Sequence, residues 1–595
     1  MELNDFYTAR RQAFEKEAQR LAVRSNMLGI ARLAVSVIFL VLGYYCFLPG
    51  DKTLLFCGMA IVFGAFILLM RYHAKVSRQK QRAEALEAIN KDEYNYLNGN
   101  GIPFQDGAAY ADASHPYAHD LDIFGQKSLF HNLNRTETYN GGQKLAAKLM
   151  AMGAPEEIQL NQEAIKELAA KPEWRQELMA LGRMGKDSSA DVVRLMAWAN
   201  RESSGVSPMA GSIAIISPVL LLVSFIVYLI TDNGLFSDIA QYLALFNLAF
   251  VLRYLKTMKR EIADTTEIYR IIEGYGLMIK AFENESFTSR KLKSLQSGLT
   301  NNRQKASSHI LRLSVLFSRL DSLGNILGAI LSNGLFLFHL HTLRSLLSWK
   351  KQHAVNINLW LDSIAGIEAL SSLANLSFNN PDFAFPNLNS EYRIIFTNLS
   401  HPLIRREARV GNDVRFSNSF MILTGSNMSG KSTFLRSLGV NMVLAGTGAP
   451  VCAGKADIHP LPVLASMRLA DSLSDSESYF FAEVKRLQSI MLNLEKGSAF
   501  VLLDEILRGT NSDDKYTGTI KVIERMVALK AVGAIATHDV EVCRMTESYP
   551  YVLSNHCFEA QIVNDELYFD YQLREGVCQN RSATFLMQKM GVIQV

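Results

Sequence analysis

The chain has 595 residues, 49% hydrophobic and 20% charged, with a formal net charge of +4. That length holds several domains, and so small a charge excludes a globally basic nucleic-acid binder. Six scattered cysteines form no C-x-x-C pair and no zinc spacing, which excludes a disulfide framework and points to a reducing compartment.

Residues 1–32 read as a basic amphipathic helix carrying Arg10, Arg11, Lys16, Arg20 and Arg24. No small-residue cleavage site follows the next apolar run, so a cleaved signal peptide is not expected. Residues 33–50 and 53–70 are two uncharged stretches separated by a turn at 49–52, each near the length of a bilayer crossing. Arg71, Lys75, Arg78, Lys80 and Arg82 follow at once. Basic residues on both outer flanks predict a transmembrane hairpin over 1–82 with its two ends in the cytoplasm.

Ala74–Leu97 is predicted as a charged helix, and 99–119, rich in Gly, Asp, Ala and Pro, as a connection. In 120–149 a short helix with Leu129, Phe130 and Leu133 precedes Asn134-Arg135-Thr136 and a second helix. Glu156–Arg183 reads as continuing helix. Residues 203–231 carry no charge, and Pro218 is tolerable inside a bilayer. A turn at 232–234 leads to Ile239–Leu252, which holds Gln241 and Asn247 and is closed by Arg253, Lys256, Lys259 and Arg260. A second membrane hairpin over about 212–254 is the economical reading; the other is a buried helical hairpin.

Residues 261–400 are predicted helical with charged faces. Ser322–Leu343 is uncharged but holds Asn325, Ser332, Asn333, His339 and His341, so a packed core helix is expected rather than a fifth span. An odd number of spans would place the following domain outside the cell, away from ATP. His339 and His341, two apart on a helix, face different ways and read as structural rather than as metal ligands. Residues 83–400 are thus an all-α region interrupted by the second hairpin.

From about Tyr392 strands and turns take over, and 401–595 form an α/β domain. Its centre is Leu423–Thr433, LTGSNMSGKST. Gly425, four residues, then Gly430, Lys431 and Ser432 satisfy the P-loop spacing, between a buried strand (Phe420–Leu423) and a helix start. Glycines let successive N–H groups of Gly425, Ser426, Asn427, Met428, Ser429, Gly430, Lys431, Ser432 and Thr433 wrap a phosphate chain. Lys431 supplies the cation, and the Ser432 hydroxyl can ligate Mg2+. Phe500–Leu503 is an apolar strand delivering Asp504 and Glu505, a Walker B pattern. Asp504 would hold Mg2+, and Glu505 would orient or deprotonate the attacking water. A third strand, Val532–Ala536, ends at Thr537-His538; His538 could sense the γ-phosphate or be a satisfied structural histidine. Alternation around 564–565 predicts a hairpin near the end.

These residues resemble the MutS-type ATPases, relatives of the ABC ATPases. TGSNMSGKSTFLR is similar to that family's TGPNMGGKST, DEILRGTNSDD to DEIGRGTS, and Ala536-Thr537-His538 to its ATH. DSLSDSESYFFAEV (Asp471–Val484) looks like its signature loop, LAGTGAPVCA (Leu444–Ala453) like the end of its P-loop helix, SLFHNLNRTETYNGGQKLA like the start of its lever domain, and Leu399-Ser-His-Pro402 like its G-R-H-P. The resemblance covers about 120–200 and 260–595. It implies an α/β P-loop ATPase preceded by an all-α lever region, using ATP and Mg2+. It also implies a homodimer with each ATP between the P-loop of one subunit and Ser476 and Ser478 of the other's signature loop, and DNA as a partner.

Four departures stand out. Ser426 replaces the P-loop proline, Leu507 the first glycine after Asp-Glu, and Glu477 the signature arginine; Arg409 sits near the family's adenine-stacking phenylalanine, where a guanidinium can still stack. The family's mismatch-reading amino-terminal domain carries a Phe-x-Glu wedge; here that end is the membrane hairpin. The sequence therefore predicts a membrane-anchored MutS-like ATPase at the inner or plasma membrane, its ATPase domain cytoplasmic. The alternatives are an ABC-exporter-like half-transporter, which lacks support because no L-S-G-G-Q precedes Asp504, and a nucleotide-switched membrane scaffold.

Overall fold

The computed structural model describes all residues except 1–2, 47, 49–52, 203–204, 263–267, 302–303, 427, 469–478, 564–565, 579–589, 591 and 594–595. The turns expected at 49–52 and 564–565 lie outside the described residues.

Two long helices, Leu3–Tyr45 and Thr53–Leu97, pack as an antiparallel hairpin. No proline interrupts either one. Their apolar halves stand clear of the rest of the protein, with Leu40 70% and Leu54 84% exposed. The polar halves dock on the helical region: Phe6 meets Phe378 edge-on, Tyr7 donates to Asn379 Oδ1 (2.7 Å), and Arg82 pairs with Glu177. A second pair, Pro208–Thr231 and Gly234–Ile262, is joined through Asp232 in a left-handed conformation (φ 51°). These four helices are long and apolar enough to cross a membrane, by length and composition.

At two places the helical region departs from the sequence reading. Glu156–Arg183 is not continuous: Pro155–Ala169 ends and Pro172–Met184 begins, because Pro172 has no N–H to give and its ring fits only a first turn. Ser322–Leu343 is not one packed helix. The Ala306–Gly324 segment turns by 112° into Ile326–Phe336, and a second break at Leu337 (φ 49°) starts Phe338–His353. Asn325 caps the first break through Gly328 N, and Asn333 Oδ1 captures the His339 N–H at 3.0 Å across the second. Ile326, Leu327, Ile330 and Leu331 consequently face outward. Asn247, fully buried in the second pair, accepts from Ser217 Oγ (2.6 Å) and donates to Gly334 O (2.8 Å).

The Ile357–Asn379 helix runs through the middle of the helical region, and sixteen of its residues are buried. It carries Glu368, 3% exposed, which accepts from Glu137 N, Thr138 N and the Thr138 hydroxyl. Burial pushes its carboxyl up to about 7 despite those donors. A carboxyl whose pKa is raised on folding binds its proton more tightly in the native state, so stability falls as pH rises from about 4.5 to 7. Glu368→Gln, which mimics the protonated form, should flatten that part of a melting-temperature profile. At pH 8 it should raise stability by roughly 2–3 kcal/mol over the parent. A parallel decline in parent and variant would refute the assignment.

The carboxy-terminal sheet has six strands in spatial order Arg574–Glu575, Leu553–Phe558, Phe420–Gly425, Val532–Ala536, Phe500–Asp504 and Val463–Ser466, all parallel except the first. Both faces are covered, so the central strands read as unbroken apolar runs. One face, with Met421, Leu423, Leu502, Ala534 and Ala536, joins a single hydrophobic cluster that extends back through the helical region to Tyr117. The other face, with Phe420, Ile422, Val501, Leu503 and Ile535, packs on the Tyr479–Leu494 and Ser512–Ala528 side. Polar bonds reinforce the shared cluster: Gly153 N donates to Gly446 O (3.1 Å), and Asp120 accepts from Met467 N, Arg468 N and Arg486. A smaller four-stranded sheet (Asn387–Leu388, Lys455–Ile458, Arg393–Leu399, Asn412–Ser417) flanks this core.

Candidate functional site

Strand register brings the chemistry together. Leu423, Ala536 and Asp504 lie side by side on neighbouring parallel strands, so the P-loop, His538 and Glu505 all leave the sheet at one edge. Glu505 N donates to Ala536 O (2.9 Å) and Thr537 N to Leu423 O (3.0 Å), holding the three ends level. The P-loop turn needs its glycines. Gly425 has φ +148°, and a Cβ there would meet Phe558 O at 2.5 Å; Gly430 has φ +104°, and a Cβ would touch the Tyr571 ring at 3.0 Å. Gly430 caps the Lys431–Thr447 helix, so that helix's free N–H groups and positive dipole end face the turn.

The turn opens into a cleft of about 470 Å³ that Ser426, Met428, Gly430, Lys431, Ser432, Thr433, Arg409 and Glu505 all line. Lys431, 5% exposed, donates to Gly425 O (2.8 Å) and Ser426 O (2.9 Å). Burial lowers its pKa, while Glu505 and Asp504 act in the opposite sense. Ser429 Oγ closes the turn on Ser426 O at 2.8 Å. Asp504 is 7% exposed and its Oδ1 has no hydrogen-bond partner among the described residues; Ser426 Oγ has none either. A buried carboxylate oxygen without a donor suits a hard divalent cation, so the residues present fit Mg2+.

Glu505 pairs with His538 Nε2 and, at 3.3 Å, with Arg508. The His538 hydrogen bond is the main reason its carboxyl lies at about 2, with Arg508 and Lys431 adding to the effect and burial opposing it. Glu505 is thus a permanent anion at neutral pH, suited to orienting a water and weak as a proton store. Its backbone is left-handed (φ 49°), as is that of Leu507 (φ 60°), which explains why a glycine suits position 507 in the resembling motif. Here Glu483 holds the strained turn by accepting from Leu507 N (2.6 Å) and Arg508 N (3.2 Å).

Arg409 lines the cleft, but its guanidinium donates to Ile404 O (2.6 Å) and Pro402 O (3.0 Å) and lies over the Phe383 ring. Its charge is spent on its own loop rather than on the open cleft. Asn427 and the signature residues Ser476, Glu477 and Ser478 lie outside the described residues. Sequence reasoning did not single out His401, Asn412, Phe558 and Tyr571 as cleft walls, nor Arg508 and Glu483. Of these, His401, Arg508 and Glu483 had a signal, since all three fall inside segments already read as motifs.

Three strand ends level with a glycine turn, a buried lysine and an unpaired aspartate define a P-loop domain of the α/β class. Residues 421–592 match the family model described as MutS domain V. Among similar proteins, the DNA mismatch repair protein MutS of Methanococcoides burtonii is 31% identical over 214 residues, covering 34% of this chain and 24% of that protein. The DNA mismatch repair protein MutS of Thermotoga neapolitana is 29% identical over 236 residues, 38% and 28% of the two chains. MutS protein homolog 4 of Homo sapiens is 29% identical over 194 residues, 31% and 20%. The likeness to MutS proteins lies in this domain, and the chain spans less than a third of the length of these relatives.

Proposed function

We propose that this chain is a membrane-anchored MutS-type ATPase that works as a homodimer and acts on DNA. The observation that carries the ATPase reading is that the P-loop, Asp504, Glu505 and His538 leave the sheet level at one edge, where Lys431 and Glu505 line the cleft and Glu505 pairs with His538. ATP would seat its phosphates on the Gly425–Thr433 amides, with Lys431 as the cation. Asp504 and the Ser432 hydroxyl would hold Mg2+, which when bound neutralises phosphate charge. Glu505, fixed by His538 and Arg508, orients the water that attacks the γ-phosphate. The second subunit would complete the site through the segment containing Ser476 and Ser478, and DNA as partner follows from the relatives' names.

Two pairs of long apolar helices, basic at their outer flanks, support membrane anchoring with the ATPase domain on the cytoplasmic side. Because the helical region and the sheet share one hydrophobic cluster, a change at the cleft would move the helices as a body. The test is Mg2+-dependent ATP hydrolysis of the detergent-solubilised full chain over a dilution series. Turnover per chain should fall on dilution as subunits separate; a constant value would sink the shared site. Carbonate-washed membranes should retain the chain, and its release would sink the anchoring.

A further inference from the structure

The Ala306–Asp321 and Phe338–His353 helices run antiparallel, tied by Ser322 Oγ to His339 Nε2 (3.1 Å) at one end and by Trp349 Nε1 to His309 O (2.9 Å) at the other. Between them opens a cleft of about 360 Å³, lined by Arg312, His341, Arg344, Ser345, Ser348 and His353 among others. A neighbouring cleft of about 380 Å³ shares Arg312 and Ser345 and runs past Val315 to Arg319. No carboxylate lines either one, and neither Arg312 nor Arg344 has an ion-pair partner among the described residues. The His309 and His353 rings lie 4.0 Å apart, and both pKa values are lowered by burial first and then by neighbouring positive charge that includes Arg312. Arg312 and Arg319 flank apolar Val315 in the second cleft and Arg344 lines the first; the nearest carboxylate acting on this cluster, Glu283, reaches His309 but lines neither cleft.

The position of this cleft is informative. His341 Nε2 donates to Ala214 O (2.9 Å), and the Arg344 guanidinium lies against Gly211, near the start of the Pro208–Thr231 helix. Ser217, farther along, bonds Asn247, which sits six residues, or about 9 Å of helix, before Arg253, where the apolar run of its own helix stops. The cleft therefore opens level with the boundary between the apolar and basic parts of the second helix pair. Beside it lies Ile326–Phe336, with Ile326, Leu327, Ile330 and Leu331 facing out. Its 11 residues reach about 16 Å, half the ~30 Å of a hydrocarbon core. Such a helix can dip into one leaflet and return, leaving the number of crossings even.

We propose that the Arg312–Arg344 cleft binds the phosphate headgroup of an anionic membrane lipid. The two guanidinium groups grip the phosphate, the Ser345 and Ser348 hydroxyls donate to its oxygens, and an acyl chain runs along Val315 toward Ile326–Phe336. The shared ligand chemistry is a phosphate ester; the site's place at the apolar boundary selects the lipid over free phosphate. This rests on the membrane-anchored reading above.

The test is native mass spectrometry of the detergent-solubilised full chain, titrated separately with phosphatidylglycerol, phosphatidylcholine, inorganic phosphate and a short duplex DNA. The parent should retain phosphatidylglycerol over phosphatidylcholine. R312A/R344A should bind it about thirty-fold more weakly, while R312K/R344K keeps most of the affinity. Equal affinity in parent and R312A/R344A overturns the site. Displacement of the lipid by millimolar inorganic phosphate, or an arginine-dependent duplex affinity with lipid unaffected, overturns the lipid as ligand. Carbonate-washed membranes separate the two layers: a retained parent without arginine-dependent lipid binding refutes the cleft alone, and a released parent refutes the membrane reading.

Discussion

Glu505→Gln is expected to lower ATP turnover about 10²–10³-fold while leaving nucleotide binding within a few-fold of the parent. The substitution keeps shape and removes the anion that His538 and Arg508 hold in place. Lys431→Ala should differ in kind. It removes the only lysine among the cleft's lining residues, so binding itself falls and turnover falls with it. His538→Ala gives the third comparison. Its hydrogen bond is the main cause of the low Glu505 pKa, so its loss lets that pKa rise toward the ordinary carboxylate range. A depressed pKa keeps the carboxylate ionised as pH falls to about 2. The acid limb of turnover should therefore move to higher pH in His538→Ala, with a smaller loss at pH 8 than Glu505→Gln shows. Unchanged turnover in both Glu505→Gln and Lys431→Ala would end the catalytic assignment.

The second large effect is expected far from the cleft. Glu93, at the polar end of the first helix pair, accepts from Arg135 Nε (2.5 Å) and Nη2 (3.2 Å) and from Asn375 (2.9 Å) and Asn379 (3.2 Å). Arg135 also stacks on Phe104 (3.5 Å), and Arg175, pulled down to about 10 by burial, donates to Asn375 Oδ1. Glu93 is 2% exposed and is the carboxylate paired with the buried Arg135, whose charge its loss would leave uncompensated. Glu93→Ala should destabilise the chain by about 3–5 kcal/mol, a large share of a typical 5–15 kcal/mol total. It should raise proteolysis or hydrogen exchange first at the seam between Thr53–Leu97 and Ile357–Asn379. Removing both charges at once, as Glu93→Leu with Arg135→Met, should recover much of the loss, because the cost lies in the unpaired charge. Equal destabilisation by the single and double changes would mean that packing, not charge, sets the effect.

The P-loop could be read from sequence because its spacing is its geometry: Gly425 and Gly430 sit where no side chain fits, and Lys431 begins the helix. The apolar runs ending at Asp504 and Ala536 were equally legible as buried strands. What the sequence does not contain is the order of those strands. That Val532–Ala536 lies between the P-loop strand and Phe500–Asp504 is what places His538 on Glu505, and this order is a property of the whole sheet. The break at Leu337 was hidden for a similar reason. An uncharged run looks like one helix, and the Asn333 bond to the His339 N–H that caps the break is not encoded in its composition. Glu93, on a helix read as charged, and Arg135, in the break between two helices, lie 42 residues apart, and nothing in the sequence pairs them. Arg409 was legible as a cleft residue by position, but not that its guanidinium is occupied by Pro402 and Ile404.

The hydrophobic cluster that begins at Tyr117 is finished by Phe500, Leu502, Val532, Ala534 and Phe558. On a ribosome, the helices up to Asn379 emerge while the strands that cover them are still unmade. At 5–20 residues per second, that interval lasts roughly 10–40 s. For that time the faces of Leu145, Leu149 and Ile165 have no sheet or P-loop helix to lie against. Nascent chains of this protein should therefore need a holding chaperone longest in that window.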